Sequence, residues 1–179
     1  MEKIITGKNI SLRLVNIEDA EFIVNLRTKK GAFLSTTSPD ISKQKEWLLL
    51  YKEREKLKEE FYFIIENKIK NKIGTIRLYK INHNNKTFTF GSFIVDKECK
   101  NTHNLSALEA MFLIMNFAFE ELLMKDCFFE CRKDNAKANN FYTRFGSKIF
   151  GEENIDYLYN LSILDFVNIK KNINNILKY

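Results

Sequence analysis

Glycine, proline, cysteine and tryptophan are all scarce in this chain: six, one, three and one among 179 residues. A single proline, Pro39, and so few glycines exclude a turn-dense all-β sandwich and a disordered linker, which both depend on those residues for punctuation. Long apolar runs are missing as well. No stretch is uninterrupted enough to cross a bilayer, and residues 1–11 hold no charged-then-apolar leader, so a cytoplasmic protein with no membrane partner is expected. Cys99, Cys127 and Cys131 are odd in number, and the four-residue step between the last two fits neither a metal nor a redox motif. With only His83 and His103 beside them, no metal site is expected, and the cysteines read as buried free thiols.

What is present is ordinary for a globular chain: 45% hydrophobic and 29% charged residues. The length suits one domain over residues 1–179, with residues 164–179 as a closing helix. A formal charge of +6 favours anionic partners. The lysines are scattered, however, and no basic stripe alternates with exposed aromatics, so nucleic acid is not expected as a partner.

Read in order, Ile10 to Val15 alternates like a strand, and a helix follows through Ala20, Ile23, Val24 and Leu26. Residues 31–39 form a hydroxyl-rich loop before a charged amphipathic helix, about residues 42–59, that carries Trp47 and Tyr51. Three strands, near 60–66, 73–79 and 87–95, make a meander. A long apolar helix then begins near Asn104 or Ser106, where Ser106-Ala-Leu-Glu109 matches a capping box, and its stripe runs from Leu105 to Leu122. The strand Cys127 to Cys131 precedes a short helix that stops at Phe145-Gly146. After it come Ser147 to Phe150, a half-exposed strand from Asp156 to Ile163, and a tail helix with Phe166, Ile169, Ile173 and Ile176 on one side. Six or seven strands with four or five helices make an α/β (α+β) fold around one sheet.

The segment from Thr87 to Ser147 resembles the central half of the GNAT acetyltransferase superfamily. The resemblance rests on Asn135-Ala-Lys-Ala138, Phe141-Tyr142 and Phe145-Gly146, which reproduce that family's Asn, small residue, Tyr and Gly spacing. It implies a mostly antiparallel mixed sheet with helices on both faces, and acetyl-CoA as the acetyl donor. It also implies that the strands ending at Val95 and Arg132 diverge, leaving backbone groups of Phe93, Ile94 and Val95 free to hold an extended pantetheine arm. Family members place a glycine-rich loop against the CoA diphosphate. The aligned run here, Lys100-Asn101-Thr102-His103-Asn104-Leu105, has no glycine, and Asn101 or Asn104 is expected to take the left-handed conformation, with Lys97 and Lys100 adding charge.

By the same resemblance Tyr142 protonates the departing thiolate, while Asn135 and Ala138 belong to the cofactor side. Glu130, on the adjacent strand, is the candidate general base, ahead of Asp134 and Glu109. Thr36, Thr37, Trp47, Arg77 and Ser92 are the candidate acceptor contacts. Their surrounding motifs are similar to a GNAT branch tied to bacterial surface-polysaccharide synthesis, which implies a nucleotide-linked amino sugar as the small-molecule acceptor. A protein N-terminus, as in the ribosomal-protein branch, and a non-catalytic binding module stand as alternatives. Pairing with a second copy of the chain through the tail helix is a further expectation.

Overall fold

A computed structural model describes residues 3–36 and 38–179. Its single eight-stranded sheet comprises β1 (Ile4–Thr6), β2 (Ile10–Leu14), β3 (Phe61–Asn67), β4 (Lys72–Asn82), β5 (Thr87–Val95), β6 (Asp126–Arg132), β7 (Lys148–Glu153) and β8 (Asp156–Ser162), in the spatial order 1-2-3-4-5-6-8-7. Every neighbouring pair is antiparallel except β5 with β6. The expected six or seven strands become eight because Ile4–Thr6 adds at the edge, a run of three residues too short to show an alternation in sequence.

Period-2 alternation assigns each strand two faces. On one face Phe63, Ile76, Leu78, Phe88, Phe90, Phe129 and Tyr159 join the main core beneath α3 (Ser106–Asn116), α4 (Ala136–Arg144) and α5 (Ile163–Leu177). On the other, Tyr62 and Ile64 pack with Val15, Ala20 and Ile23 under α1 (Ala20–Lys30) and α2 (Ile41–Lys56). The stripe of α3 is nearly all buried, as its sequence demands, and the chain continues into a π-helical turn (Phe117–Glu121) closed by the Leu122 amide on the Phe117 carbonyl. The expected capping box does not form. Ser106 is already inside the helix, and the fully buried Glu109 carboxylate instead accepts from the Asn9 amide and side chain and from the Tyr179 hydroxyl. That excludes Glu109 from any role as a base at an exposed site. The three cysteines are unpaired, Cys127 and Cys131 buried and Cys99 half-exposed. No helix among the described residues is long and apolar enough to cross a membrane.

One ionic cluster pins the first strands. Asp19 is 0% exposed and takes two hydrogen bonds from Arg13, at 2.7 and 2.9 Å, and an ion pair from Lys72 at 2.6 Å. Arg13 also reaches Glu66 at 2.7 Å. Burial alone would push the Asp19 carboxyl up, but the bonds from Arg13, Lys72 and the Asn16 amide outweigh it and hold the group below the usual carboxylate range. A carboxyl depressed on folding contributes stability that is whole above its unfolded value, about 3.9, and is lost as pH falls through its lower folded value. Asp19→Asn is therefore expected to lower unfolding stability at pH 7 by about 3 kcal/mol in urea titrations. The variant should also lose less stability than the parent chain on acidification from about pH 5 to pH 2. Superimposable acid profiles for the two proteins would rule the cluster out as a pH-dependent clamp.

Candidate active site

The parallel partners β5 and β6 touch at only two register positions, Thr87 with Asp126 and Phe88 with Cys127, and separate beyond them. The cause lies in β5. Thr75 pairs with Ile94 but Arg77 pairs with Gly91, so two steps along β4 face three along β5. The extra residue is a bulge, and Ser92 adopts φ +48° to make it. Thr75 locks the bulge by donating its hydroxyl to the Ser92 carbonyl at 2.7 Å. A bulged strand bends, and β5 bends away from β6, which stays paired with β8 along its full length. Past the bulge, the Asp96 amide reaches the Ile73 carbonyl at 2.7 Å, so alternation turns the Val95 N–H and C=O away from β4 and into the gap.

Aromatic rings fill the crotch of this V. Phe90 meets Phe129 across the gap at 4.4 Å between centroids, and Tyr142 of α4 packs edge-on against both, at 5.5 and 4.9 Å. Phe93 and Phe141 form the next layer outward, 6.1 Å apart. The Tyr142 hydroxyl makes no hydrogen bond among the described residues. Burial, then the neighbouring Cys131, Tyr159 and Cys127, push this phenol well above its ordinary value, and burial lifts the Cys131 thiol to about 11. Both groups keep their protons at neutral pH. Asn135 caps α4 by accepting from the Ala138 amide at 3.2 Å, and so fixes the turn that delivers Tyr142.

Beneath the gap, on the α3–α4 face, lies a groove of ≈ 700 Å³. Asn104, Ala107 and Leu108 border it at the start of α3, and Ile169, Ile173 and Ile176 of α5 supply apolar surface. Lys97, Lys137 and Arg144 line it without a carboxylate among the lining residues, and none of the three is ion-paired among the described residues. Ser106, in the first turn of α3, buries a hydroxyl with no hydrogen-bond partner. A long anionic molecule with an apolar end fits this groove: the helix start and the three cations offer donors to phosphate. Such a molecule would be acetyl-CoA, held by Lys97, Lys137, Arg144 and the Ala107 and Leu108 turn. Of the loop residues expected there, only Asn104 borders the groove. Asn101 is left-handed, φ +65°, as a glycine-free turn requires, but it lines a separate cavity with His103. Thr102 donates to the Asp96 carbonyl, the Lys100 carbonyl accepts from Asn67, and the Leu105 amide is taken by His103. The loop is thus tied partly to itself and partly to the ends of β3 and β5.

The opposite, α1–α2 face opens on the same bulge through a cavity of ≈ 270 Å³. Thr36, Trp47, Arg77 and Ser92, four of the five expected acceptor contacts, all line it; Thr37 falls outside the described residues. Arg77 lies between the Trp47 and Tyr79 rings, at 4.8 and 4.9 Å, and its Nε is held by the buried Glu60, which also takes Arg54 at 2.8 Å. A Cβ at Gly91 would meet the Tyr79 ring at 3.0 Å, so this stack needs glycine opposite Arg77. Arg27 ties the loop to the bulge, donating to Ser92 Oγ at 3.2 Å and to the Ser35 carbonyl at 2.9 Å. Glu130 is exposed on this same face of β6, in a neighbouring hollow with Tyr79 and Thr89, and so is on the other side of the strand from Tyr142. Sequence reading passed over Arg27, Lys43, Tyr62, Lys137 and Arg144. Lys137, Asn140, Phe141 and Arg144 do follow the i, i+3, i+4, i+7 pattern of one helix face, and Lys43 sits one turn before Trp47.

A family model described as an acetyltransferase (GNAT) domain matches residues 9–148. No curated protein matches the chain. Among solved structures, the chain is similar to FdhC, titled a nucleotide-linked sugar GNAT, at 31% identity and a TM-score of 0.86, over 96% of this chain and 97% of that one. It shares its fold with the ribosomal-protein-S5-alanine acetyltransferase of Vibrio fischeri (18% identity, TM-score 0.76, 89% and 96% covered). The same holds for the spermidine/spermine N-acetyltransferase SpeG of Vibrio cholerae (20% identity, TM-score 0.72, 90% and 98% covered).

Tyr142→Phe is expected to leave the melting temperature unchanged, because the hydroxyl bonds nothing, while lowering kcat by about tenfold or more. With the phenol raised, the loss of rate that belongs to its deprotonation should appear only above the ordinary tyrosine value of about 10. Steady-state rates at saturating substrates across pH check both points.

Proposed function

Because the chain belongs to the GNAT acetyltransferase family and is an acetyl-CoA-dependent N-acetyltransferase, we propose that its acceptor is the amine of a nucleotide-linked amino sugar. The observation that carries this reading is the charge of the cavity on the α1–α2 face. Arg27, Lys43 and Arg77 border it, and no carboxylate among the described residues does. A polyamine would bring ammonium groups against these cations, and like charges about 4 Å apart repel by about 4 kcal/mol at an effective dielectric constant near 20. A diphosphate meets the opposite sign. The hydroxyls of Thr36 and Ser92 suit a sugar, and the half-buried Trp47 indole offers a face for stacking. The similarity to FdhC supports the same acceptor class.

Acetyl-CoA supplies the activated acetyl group. The open edges of β5 and β6 hold its extended arm by strand-like hydrogen bonds. Backbone N–H groups of Phe93 and Val95, which alternate away from β4, donate to the thioester oxygen as negative charge builds there, a contribution of roughly 3–4 kcal/mol for a well-placed donor. The amine, presented from the cavity beside Ser92, attacks the carbonyl directly. Its proton leaves through Glu130, directly or by way of water, on the face where the acceptor enters. From the opposite face Tyr142 gives its phenolic proton to the departing sulfur. The two proton transfers thus take place on opposite sides of the sheet, with the gap between β5 and β6 joining them.

Release of CoA thiol is expected with UDP- or dTDP-linked amino sugars, and not with spermidine or with peptides bearing a free N-terminal alanine or serine. Lys43→Gln should raise KM for the nucleotide sugar by about tenfold, less at high salt, with KM for acetyl-CoA unchanged. Faster turnover of spermidine than of any nucleotide sugar would overturn the acceptor assignment.

A further inference from the structure

Tyr62 stands at the floor of the acceptor cavity and is 2% exposed, yet its hydroxyl has no hydrogen-bond partner among the described residues. Its backbone amide donates to the Tyr51 hydroxyl at 2.8 Å, and its ring is held edge-on by Trp47 and Tyr51, at 6.0 and 6.2 Å. The Thr75 hydroxyl on the same face of the sheet is turned to the bulge, donating to the Ser92 carbonyl. A buried hydroxyl without a partner forfeits its hydration, and phenylalanine would fill the same space without that cost. Tyr51, its neighbour on the same core, shows the contrast: it is fully buried and its hydroxyl both accepts from the Tyr62 amide and donates to Glu55.

The position of the stranded group points to what completes it. Tyr62 pairs with Arg77 across β3 and β4, and Arg77 pairs with Gly91 across β4 and β5, so one row of the sheet leads from this phenol to the bulge. Arg27, which bonds Ser92, lines the same cavity. Burial keeps the phenol protonated, with Thr75 and the Arg27 and Arg77 guanidiniums only partly offsetting it. It is thus a neutral donor among cations. The guanidiniums and Lys43 meet the demands of a diphosphate, which leaves the phenol for an uncharged oxygen close to the bulge.

Building on the acceptor class proposed above, we infer that Tyr62 is its specificity-determining contact, donating a hydrogen bond to the sugar hydroxyl beside the reacting amine. A site built around such a bond rejects an analogue that lacks the hydroxyl, because the buried donor is then left unpaired. The same bond sets the rotation of the sugar ring and directs the amine at the gap.

The test compares the parent chain with Tyr62→Phe on two nucleotide amino sugars, one with a hydroxyl next to the amine and its deoxy counterpart. The parent is expected to favour the hydroxylated acceptor by about tenfold or more in kcat/KM. Tyr62→Phe should lose that preference, with an unchanged KM for acetyl-CoA and a melting temperature equal to or above the parent's. A variant that keeps the full preference, or that melts lower with no change in acceptor kinetics, overturns the assignment of Tyr62 alone. A parent chain inert toward both sugars overturns the acceptor class and this assignment with it.

Discussion

The site depends on two neighbouring strands that do not stay paired. β5 and β6 share two register positions and then part, which leaves edge N–H and C=O groups on both without a strand to bond. Left-handed Ser92 inserts one residue, the Thr75 hydroxyl pins it, and the Phe90–Phe129 contact wedges the V where it begins to open. The backbone is thus held in an arrangement that an extended ligand would complete, and the gap opens toward both faces of the sheet.

Charge is managed differently on the two faces. On the α1–α2 side, buried carboxylates are there to hold cations still. Asp19 and Glu66 fix Arg13 away from the cavity, and Glu60 fixes Arg77 beside it between two aromatic rings. A guanidinium so immobilised loses little further freedom on meeting an anion. On the α3–α4 side, Lys97, Lys137 and Arg144 have no ion pair among the described residues and stand around an apolar floor.

Much of this was legible in the sequence because local chemistry decides it. The β-branched and aromatic run from Thr87 to Val95 is a strand with those same limits, and the stripe from Leu105 to Phe119 is buried as its spacing requires. Asn135 caps the helix that carries Tyr142 against Phe129, and Thr36, Trp47, Arg77 and Ser92, distant in the chain, share one cavity. What stayed hidden depends on long-range pairing. A bulge is set by register with β4, so Ser92 looks like any strand serine. Ser106 and Glu109 satisfy a capping motif locally, but Asn9 and Tyr179, far away in the chain, claim the carboxylate. Tyr62 looks like an ordinary core tyrosine until the absence of a partner is seen. Of the glycine-free loop only Asn104 borders the α3–α4 groove, whose cations, Lys97 before the loop and Lys137 and Arg144 on α4, come together only in the fold.

The scarcity of glycine has a cost that is spread over the whole surface. Nine described residues other than glycine adopt positive φ, among them Lys58, Lys70, Lys80, Lys86 and Lys178, against Gly146 as the one glycine that does. Each such L-residue gives up about 1 kcal/mol of backbone energy. The hairpins and turns therefore act as loaded springs, held closed by the sheet between them. Relaxing the lysine turns with glycine or asparagine would harden the scaffold against heat without touching the bulge at Ser92, the one strained residue whose relief would shut the gap.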